Sequence, residues 1–124
     1  MKPLRILIVD DDATISALLA EVLEGLGHSI CGIEETADGA VSLALWARPD
    51  LMIVDENLRS GSGTAAIATI AQTIIIPHIL MSGKRLPTGV GTGIALQKPF
   101  SYNGLLIAID RATGEADASL APAP

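Results

Sequence analysis

Five short apolar runs, each ending at or just before a polar residue, constrain what this 124-residue chain can fold into. They read LRILIV (4–9), HSICGIEE (28–35), DLMIVD (50–55), HILMS (78–82) and IALQK (94–98). Their length and β-branched content are typical of strands covered on both faces. Apolar residues at spacings of three and four predict helices from Ile15 to Gly27 and over 37–49, 64–72 and 101–112. This alternation predicts an α/β fold, a doubly wound parallel sheet with helices on both faces.

The composition suits one compact domain with an aliphatic core. Hydrophobic residues make up 49% of the chain, but only Trp46, Phe100 and Tyr102 are aromatic. A net charge of -6 argues against nucleic acid and anionic membranes and favours a protein or phosphate-bearing partner. The single cysteine, Cys31, excludes an internal disulfide. No stretch reaches the ~18 to 20 apolar residues of a membrane span, and no signal peptide is visible, so we expect a cytoplasmic protein.

Polar side chains end four of the predicted strands. Asp10 and Asp11 follow the first strand, Asp55 ends the third, Ser82 the fourth and Lys98 the fifth. Because ligands of such sheets bind beyond the carboxyl ends of the strands, we expect these side chains to meet at one edge. Three carboxylates supply the oxygen ligands that suit Mg²⁺. Lys98 and Ser82 leave room for a phosphoryl group opposite them, with Asp55 as the nucleophile.

The motifs ILIVDDD, ADGAVSLAL, RPDLMIVDENL, ILMSG and LQKPF, in that order, resemble those of response-regulator receiver domains over residues 4–111. The resemblance implies a flavodoxin-like, five-stranded sheet in the order 2-1-3-4-5. It also implies a cis peptide bond between Lys98 and Pro99. By this resemblance Asp10 and Asp11 are the acidic pair, and Asp55 is the phosphoacceptor. Asn57 binds the metal through its backbone carbonyl, Ser82 occupies the family's hydroxyl position, and Lys98 is its phosphate-sensing lysine.

We therefore expect a receiver domain over residues 1–111 and a disordered, Ala/Pro-rich tail over 112–124. The resemblance implies a single-domain response regulator of a two-component system, phosphorylated on Asp55 in a Mg²⁺-dependent reaction. The donor would be a sensor histidine kinase or a histidine phosphotransfer protein. The chain would then bind an unknown downstream protein, or act as a relay or phosphate sink. It would be a phosphoacceptor with self-catalysed phosphotransfer and autodephosphorylation rather than a dedicated enzyme.

Two other interpretations stay open on the sequence. DDDAT also matches the Asp-x-Asp-x-Thr motif of haloacid-dehalogenase-like phosphatases, with Asp10 as nucleophile and Asp12 as acid/base. Against it, no acidic pair follows Lys98, no cap domain fits in the chain, and Asp55 would have no role. The other alternative is a pseudo-receiver, an interaction module that is never phosphorylated. We expect Asp12 to cap the helix that follows it.

Several features depart from the usual receiver pattern. The proline that usually follows the phosphoacceptor is missing from DENLRSGSG, so we expect a more flexible loop there. Ala95 occupies the aromatic switch position, and Lys84 lies where receivers tune access to the phosphoryl group. The eleven residues 83–93 include four glycines and one proline, so we expect at most one helical turn, ordered on phosphorylation. These features resemble a divergent alphaproteobacterial class of single-domain regulators whose fourth helix is reduced.

Two further expectations concern single side chains. Trp46 is expected to pack at the rim of its helix, since nothing near it in the sequence suggests a cofactor. Glu56, directly after the predicted phosphoacceptor, is expected to be a solvated charge.

Overall fold

The structure is a computed structural model that describes residues 2–83 and 94–114. This part of the chain contains five strands and four helices: β1 (Arg5–Val9), α1 (Ala13–Gly25), β2 (Ser29–Glu34), α2 (Ala37–Ala47), β3 (Leu51–Asp55), α3 (Gly63–Ala71), β4 (His78–Ser82), β5 (Ile94–Gln97) and α4 (Tyr102–Thr113). The expectations for residues 84–93, including Lys84, and for 115–124 fall outside the described residues. Helix α4 continues two residues past the expected domain boundary at 111.

All five strands are parallel and lie in the order β2-β1-β3-β4-β5. The predicted doubly wound, flavodoxin-like sheet is thereby confirmed. The strand order reverses between β1 and β3, which are direct neighbours, with Val9 paired to Val54. Sheets of this kind bind ligands in the crevice beyond the carboxyl ends of the strands at such a reversal. We therefore expect a ligand-binding site at the carboxyl ends of β1 and β3.

Two aliphatic clusters cover the two faces of the sheet. Successive residues of a strand point to opposite faces, so β1 and β3 each contribute to both clusters. One cluster packs the sheet against α1 and α4 and includes Ile6, Ile8, Ile53, Leu19, Leu23, Leu105 and Ile109. The other packs it against α2 and α3 and includes Leu7, Val9, Met52, Val54, Ala40, Ala44, Ala66 and Ile70. This double cover explains why the strands are continuously apolar.

Side-chain caps fix where the helices begin. Asp12 Oδ1 accepts hydrogen bonds from the first-turn N–H groups of Thr14, at 2.9 Å, and Ile15, at 3.2 Å. The predicted cap role of Asp12 is therefore confirmed. Because the cap comes directly after Asp10 and Asp11, α1 begins as soon as the chain leaves the acidic pair.

The expectation that Trp46 packs at the rim of its helix is wrong, because its side chain is 83% exposed. The buried residues of helix α2 are Ala40 and Ala44, and Ala37, Val41 and Leu43 pack beside them. Trp46 comes two positions after Ala44, about 200° around the helix axis, and therefore faces away from the sheet.

The loop after β3 forms hydrogen bonds with the residues at the start of α2. The backbone N–H of Ala37 donates to the carbonyl of Ser60 at 2.9 Å, and that of Arg59 donates to the carbonyl of Glu35 at 3.0 Å. The side chains of Arg59 and Glu35 also form an ion pair at 2.7 Å. Hydrogen bonds to the start of α2 thus restrain the loop in the absence of the proline.

Gly63, the first residue of α3, generates a prediction about packing. A Cβ at this position would overlap the backbone oxygen of Asp55. We predict that Gly63→Ala lowers the free energy of unfolding by about 1–3 kcal/mol, the usual cost of overpacking. This loss occurs although Ala is the better helix former by about 1 kcal/mol.

Gly25→Ala is the matched control, because a Cβ there would have no neighbour within 4 Å. That variant should be as stable as the parent, or more stable by up to about 1 kcal/mol. Urea denaturation followed by circular dichroism measures both variants. A Gly63→Ala protein as stable as the parent would mean that α3 can move away from Asp55 without cost.

Candidate functional site

Three aspartates meet where β1 and β3 end. Asp10 and Asp11 follow β1, and Asp55 is the last residue of β3. Carboxylate oxygens from the three side chains lie within 4.8 Å of one another. Asp10 and Asp55 are buried, with 1% and 5% of their surface exposed, whereas Asp11 is exposed. The structure thus brings together the three carboxylates that the sequence analysis places at this edge.

Lys98, directly after β5, reaches into the same cluster. Its Nζ lies 3.1 Å from Asp55 Oδ1 and 3.4 Å from Asp10 Oδ2. The backbone N–H of Lys98 donates to the carbonyl of Ser82 at 2.7 Å, which joins the ends of β4 and β5. The predicted cis bond between Lys98 and Pro99 is confirmed. One ammonium group therefore faces three carboxylates.

The pKa values at the site follow from burial and this excess of negative charge. Burial raises the pKa of Asp55, and the charges of Asp10 and Asp11 act in the same direction, against the hydrogen bond from Lys98. Burial lowers the pKa of Lys98, but the hydrogen bond to Asp55 and the charge of Asp10 outweigh it, so the pKa lies above its usual value. Both pKa shifts reflect buried groups in a cluster where carboxylates outnumber ammonium groups.

The donor set fits Mg²⁺. Hard carboxylate oxygens are the ligands this ion prefers, and three of them stand close together here. Asp10 is held in place because its Oδ1 accepts the backbone N–H of Asp12 at 2.9 Å. A divalent cation would also offset the repulsion that Lys98 alone leaves in the cluster.

The remaining two predicted residues lie at the same edge of the sheet. Ser82 is buried at the end of β4, one residue beyond Met81, which pairs with Asp55. Asn57 is exposed, two residues after β3, and forms an isolated antiparallel bridge with Ser62. All six predicted residues therefore follow or end strands whose carboxyl ends lie side by side.

Glu56 makes contacts that the sequence does not predict. Its Oε1 accepts the backbone N–H of Thr64 at 2.8 Å and the hydroxyl of Thr64 at 2.7 Å. The expectation of a merely solvated charge is therefore wrong. The only signal in the sequence was an acidic residue eight positions before a threonine in the first turn of a predicted helix, which is weak because such pairs are common by chance.

These observations define an open α/β domain with an acidic cluster at its topological switch point and a lysine facing that cluster. The chain belongs to the response regulator receiver domain family, whose family model matches residues 6–110. The resemblance found in the sequence is thereby confirmed. Members of this family act generally as phosphoryl acceptors in two-component signalling and pair with histidine kinases or phosphotransfer proteins.

Similar proteins include two full-length bacterial regulators. The transcriptional regulatory protein PdtaR of Mycobacterium tuberculosis is 36% identical over 118 residues, which cover 89% of this chain and 57% of PdtaR. The phyllosphere-induced regulator PhyR of Methylorubrum extorquens is 33% identical over 114 residues, which cover 87% of this chain and 43% of PhyR. The chain therefore spans about half the length of the curated relatives it matches.

Solved structures of receiver domains resemble this fold. The solution structure of the PhyR receiver domain from Erythrobacter litoralis has a TM-score of 0.79 at 28% identity, covering 90% of this chain and 91% of that one. The crystal structure of PhyR from Brucella abortus has a TM-score of 0.84 at 29% identity, covering 98% and 52%. Among residues 2–83 and 94–114, no helix is both long and apolar enough to cross a bilayer.

The charge excess generates a prediction for the metal-free protein. At pH 7 in EDTA, we predict that Asp55→Asn raises the free energy of unfolding by about 1 kcal/mol or more, since two like charges about 4 Å apart repel by about 1 kcal/mol even with the screening of bulk water. Lys98 keeps its ion pair with Asp10 in this variant. Thermal denaturation of both proteins measures the difference.

The pH dependence of this difference follows from the raised pKa of Asp55. A carboxyl group whose pKa is higher in the folded state destabilises the fold when it is ionised. The advantage of Asp55→Asn should therefore be full above the raised pKa, shrink as the pH falls through it, and be lost below the ordinary carboxyl pKa of about 4. A variant less stable than the parent at pH 7 would mean that the Lys98–Asp55 ion pair outweighs the repulsion.

Proposed function

We propose that this chain is a response regulator that accepts one phosphoryl group on Asp55 in a Mg²⁺-dependent reaction. The donor would be a phosphohistidine of a sensor kinase or of a phosphotransfer protein. The proposal rests above all on the place of Asp55, buried between the acidic pair and the ammonium of Lys98.

In this proposal Asp55 is both the nucleophile and a metal ligand, while Lys98 and Ser82 bind the phosphoryl oxygens. An Asp55 oxygen attacks phosphorus, the bond from phosphorus to the donor imidazole breaks, and the freed nitrogen keeps the electron pair and takes up a proton. Lys98, already within hydrogen-bond distance of Asp55, neutralises a phosphoryl oxygen. The hydroxyl of Ser82 donates to another phosphoryl oxygen.

Asp10, Asp11, the Asp55 carboxylate and the backbone carbonyl of Asn57 would hold Mg²⁺. When bound, the ion supplies positive charge that offsets the repulsion between the acceptor carboxylate and the incoming phosphoryl oxygens. The downstream step would be binding of a partner protein, or passage of the phosphoryl group onward in a relay or to water.

The position of Asp12 favours this proposal over the phosphatase alternative. A phosphatase of that class needs Asp12 as its acid/base, but its Oδ1 is engaged by two N–H groups of α1. The phosphatase alternative also gives Asp55 no task, although Asp55 is buried in the centre of the cluster. The same buried Asp55 favours phosphorylation over a pseudo-receiver.

Intact-mass analysis after incubation with acetyl phosphate and Mg²⁺ tests the proposal. We expect one added phosphoryl group on the parent chain. We expect none on Asp55→Asn, because Asp55 is the acceptor, and none in EDTA, because the reaction depends on the metal that the acidic pair would hold. Asp12→Asn is the matched control: Asn is also a good N-cap, so this variant should be phosphorylated like the parent.

Two outcomes would contradict the proposal. A mass shift that persists in Asp55→Asn but is lost in Asp10→Asn would favour the phosphatase. A parent chain that gains no mass, although it binds Mg²⁺, would favour the pseudo-receiver.

A further inference from the structure

Glu56 connects the end of β3 to the start of α3. Its carbonyl accepts the N–H of Gly63 at 3.0 Å, and its Oε1 accepts both the N–H and the hydroxyl of Thr64. Its own N–H donates to the carbonyl of Met81, in β4, at 2.9 Å. One residue, next to Asp55 in the chain, thus bonds to two neighbouring elements.

These bonds are more than an ordinary helix cap. Ser62 already caps α3 by accepting the N–H of Ala65. Glu56 accepts the N–H groups of Gly63 and Thr64, the two residues before Ala65. It does so from outside the helix, six residues before Ser62. The first turn of α3 is therefore hydrogen-bonded to the residue directly after Asp55 as well as to its own cap.

The same connection sets the position of the residues around Asp55. Gly63 packs so closely on the Asp55 backbone that a Cβ would overlap the Asp55 carbonyl oxygen. Asn57 forms its bridge with Ser62, directly before Gly63. The backbone on both sides of Glu56 is thus fixed against the first turn of α3.

The side chain of Glu56 acts at the start of α3. Its carboxylate lies at the N-terminus of the helix, where a negative charge is favoured. The two bonds to Thr64, rather than the charge of Glu56, therefore connect this residue to the site.

We propose that Glu56 is a positioning residue for the metal and phosphoryl site. Its two bonds to Thr64 hold residues 55–57 against α3, so that the Asp55 carboxylate and the Asn57 carbonyl are in place before the ion arrives. This inference rests on the proposed function, because the metal and the phosphoryl group are those of the proposed reaction at Asp55.

The test compares Glu56→Ala with Glu56→Gln. Glutamine keeps an Oε1 acceptor for both Thr64 bonds but carries no charge. We expect Glu56→Ala to weaken Mg²⁺ binding, measured by calorimetry, about tenfold, as for other groups that orient metal ligands. Its phosphorylation rate by acetyl phosphate at saturating Mg²⁺ should also fall, while Glu56→Gln stays close to the parent in both.

Thr64→Val keeps the proposal testable if Glu56→Ala does not fold. It removes the hydroxyl and leaves the N–H, so it should weaken Mg²⁺ binding in the same direction but by less. In the Glu56→Ala background, Thr64→Val should add nothing further, because the two side chains act as one unit. Glu35→Ala removes a carboxyl group from the other side of the loop and should leave Mg²⁺ affinity unchanged.

Three results would overturn the inference. Glu56→Ala could lower the melting temperature but leave Mg²⁺ affinity and phosphorylation rate unchanged, which would make the role purely structural. Glu56→Gln could behave like Glu56→Ala, which would make the effect one of charge. Thr64→Val could bind Mg²⁺ like the parent. If the parent is not phosphorylated while Mg²⁺ affinity changes as expected, the proposed function fails and the positioning role stands.

Discussion

The excess of carboxylates over cations at the ends of β1 and β3 is the constraint on which the rest of the site depends. Three carboxylates lie within 4.8 Å of one another, two of them buried, and the ammonium of Lys98 balances only part of their charge. Such a cluster costs free energy in an apolar surrounding. The two aliphatic layers on the sheet must supply enough stability for the fold to tolerate it. In return, the fold holds three carboxylates at one edge of the sheet, where they can bind a cation.

Much of this architecture is local in origin, and the sequence alone therefore predicts it. A strand covered on both faces has to be apolar at every position, so the five runs are visible, and their ends show which side chains reach the edge. The cap at Asp12 is equally local, since it depends on residues two and three positions away. The sheet order came from the family resemblance, because spacing alone does not fix which strands are neighbours.

The features that the sequence does not predict depend on contacts between distant residues. Whether Trp46 packs at a rim depends on which face of α2 the sheet buries, and the buried residues of that face are Ala40 and Ala44. The role of Glu56 depends on where the loop returns the chain, eight residues later. The restraint of that loop by Glu35 and Ala37 depends on α2 lying beside α3. None of these leaves a periodic pattern in the sequence.

Lys98 and Ser82 are joined through their backbones at the edge of the sheet. Both side chains would contact the phosphoryl group, and their backbones are joined by a hydrogen bond of 2.7 Å. The residue at the usual switch position, Ala95, is exposed and has no ring to move inward. In the proposed reaction, Lys98 would exchange its carboxylate partners for a phosphoryl oxygen, and the backbone bond to Ser82 would connect this change to the end of β4. A contact of this kind depends on the backbone at the edge of the sheet and requires no aromatic side chain on β5.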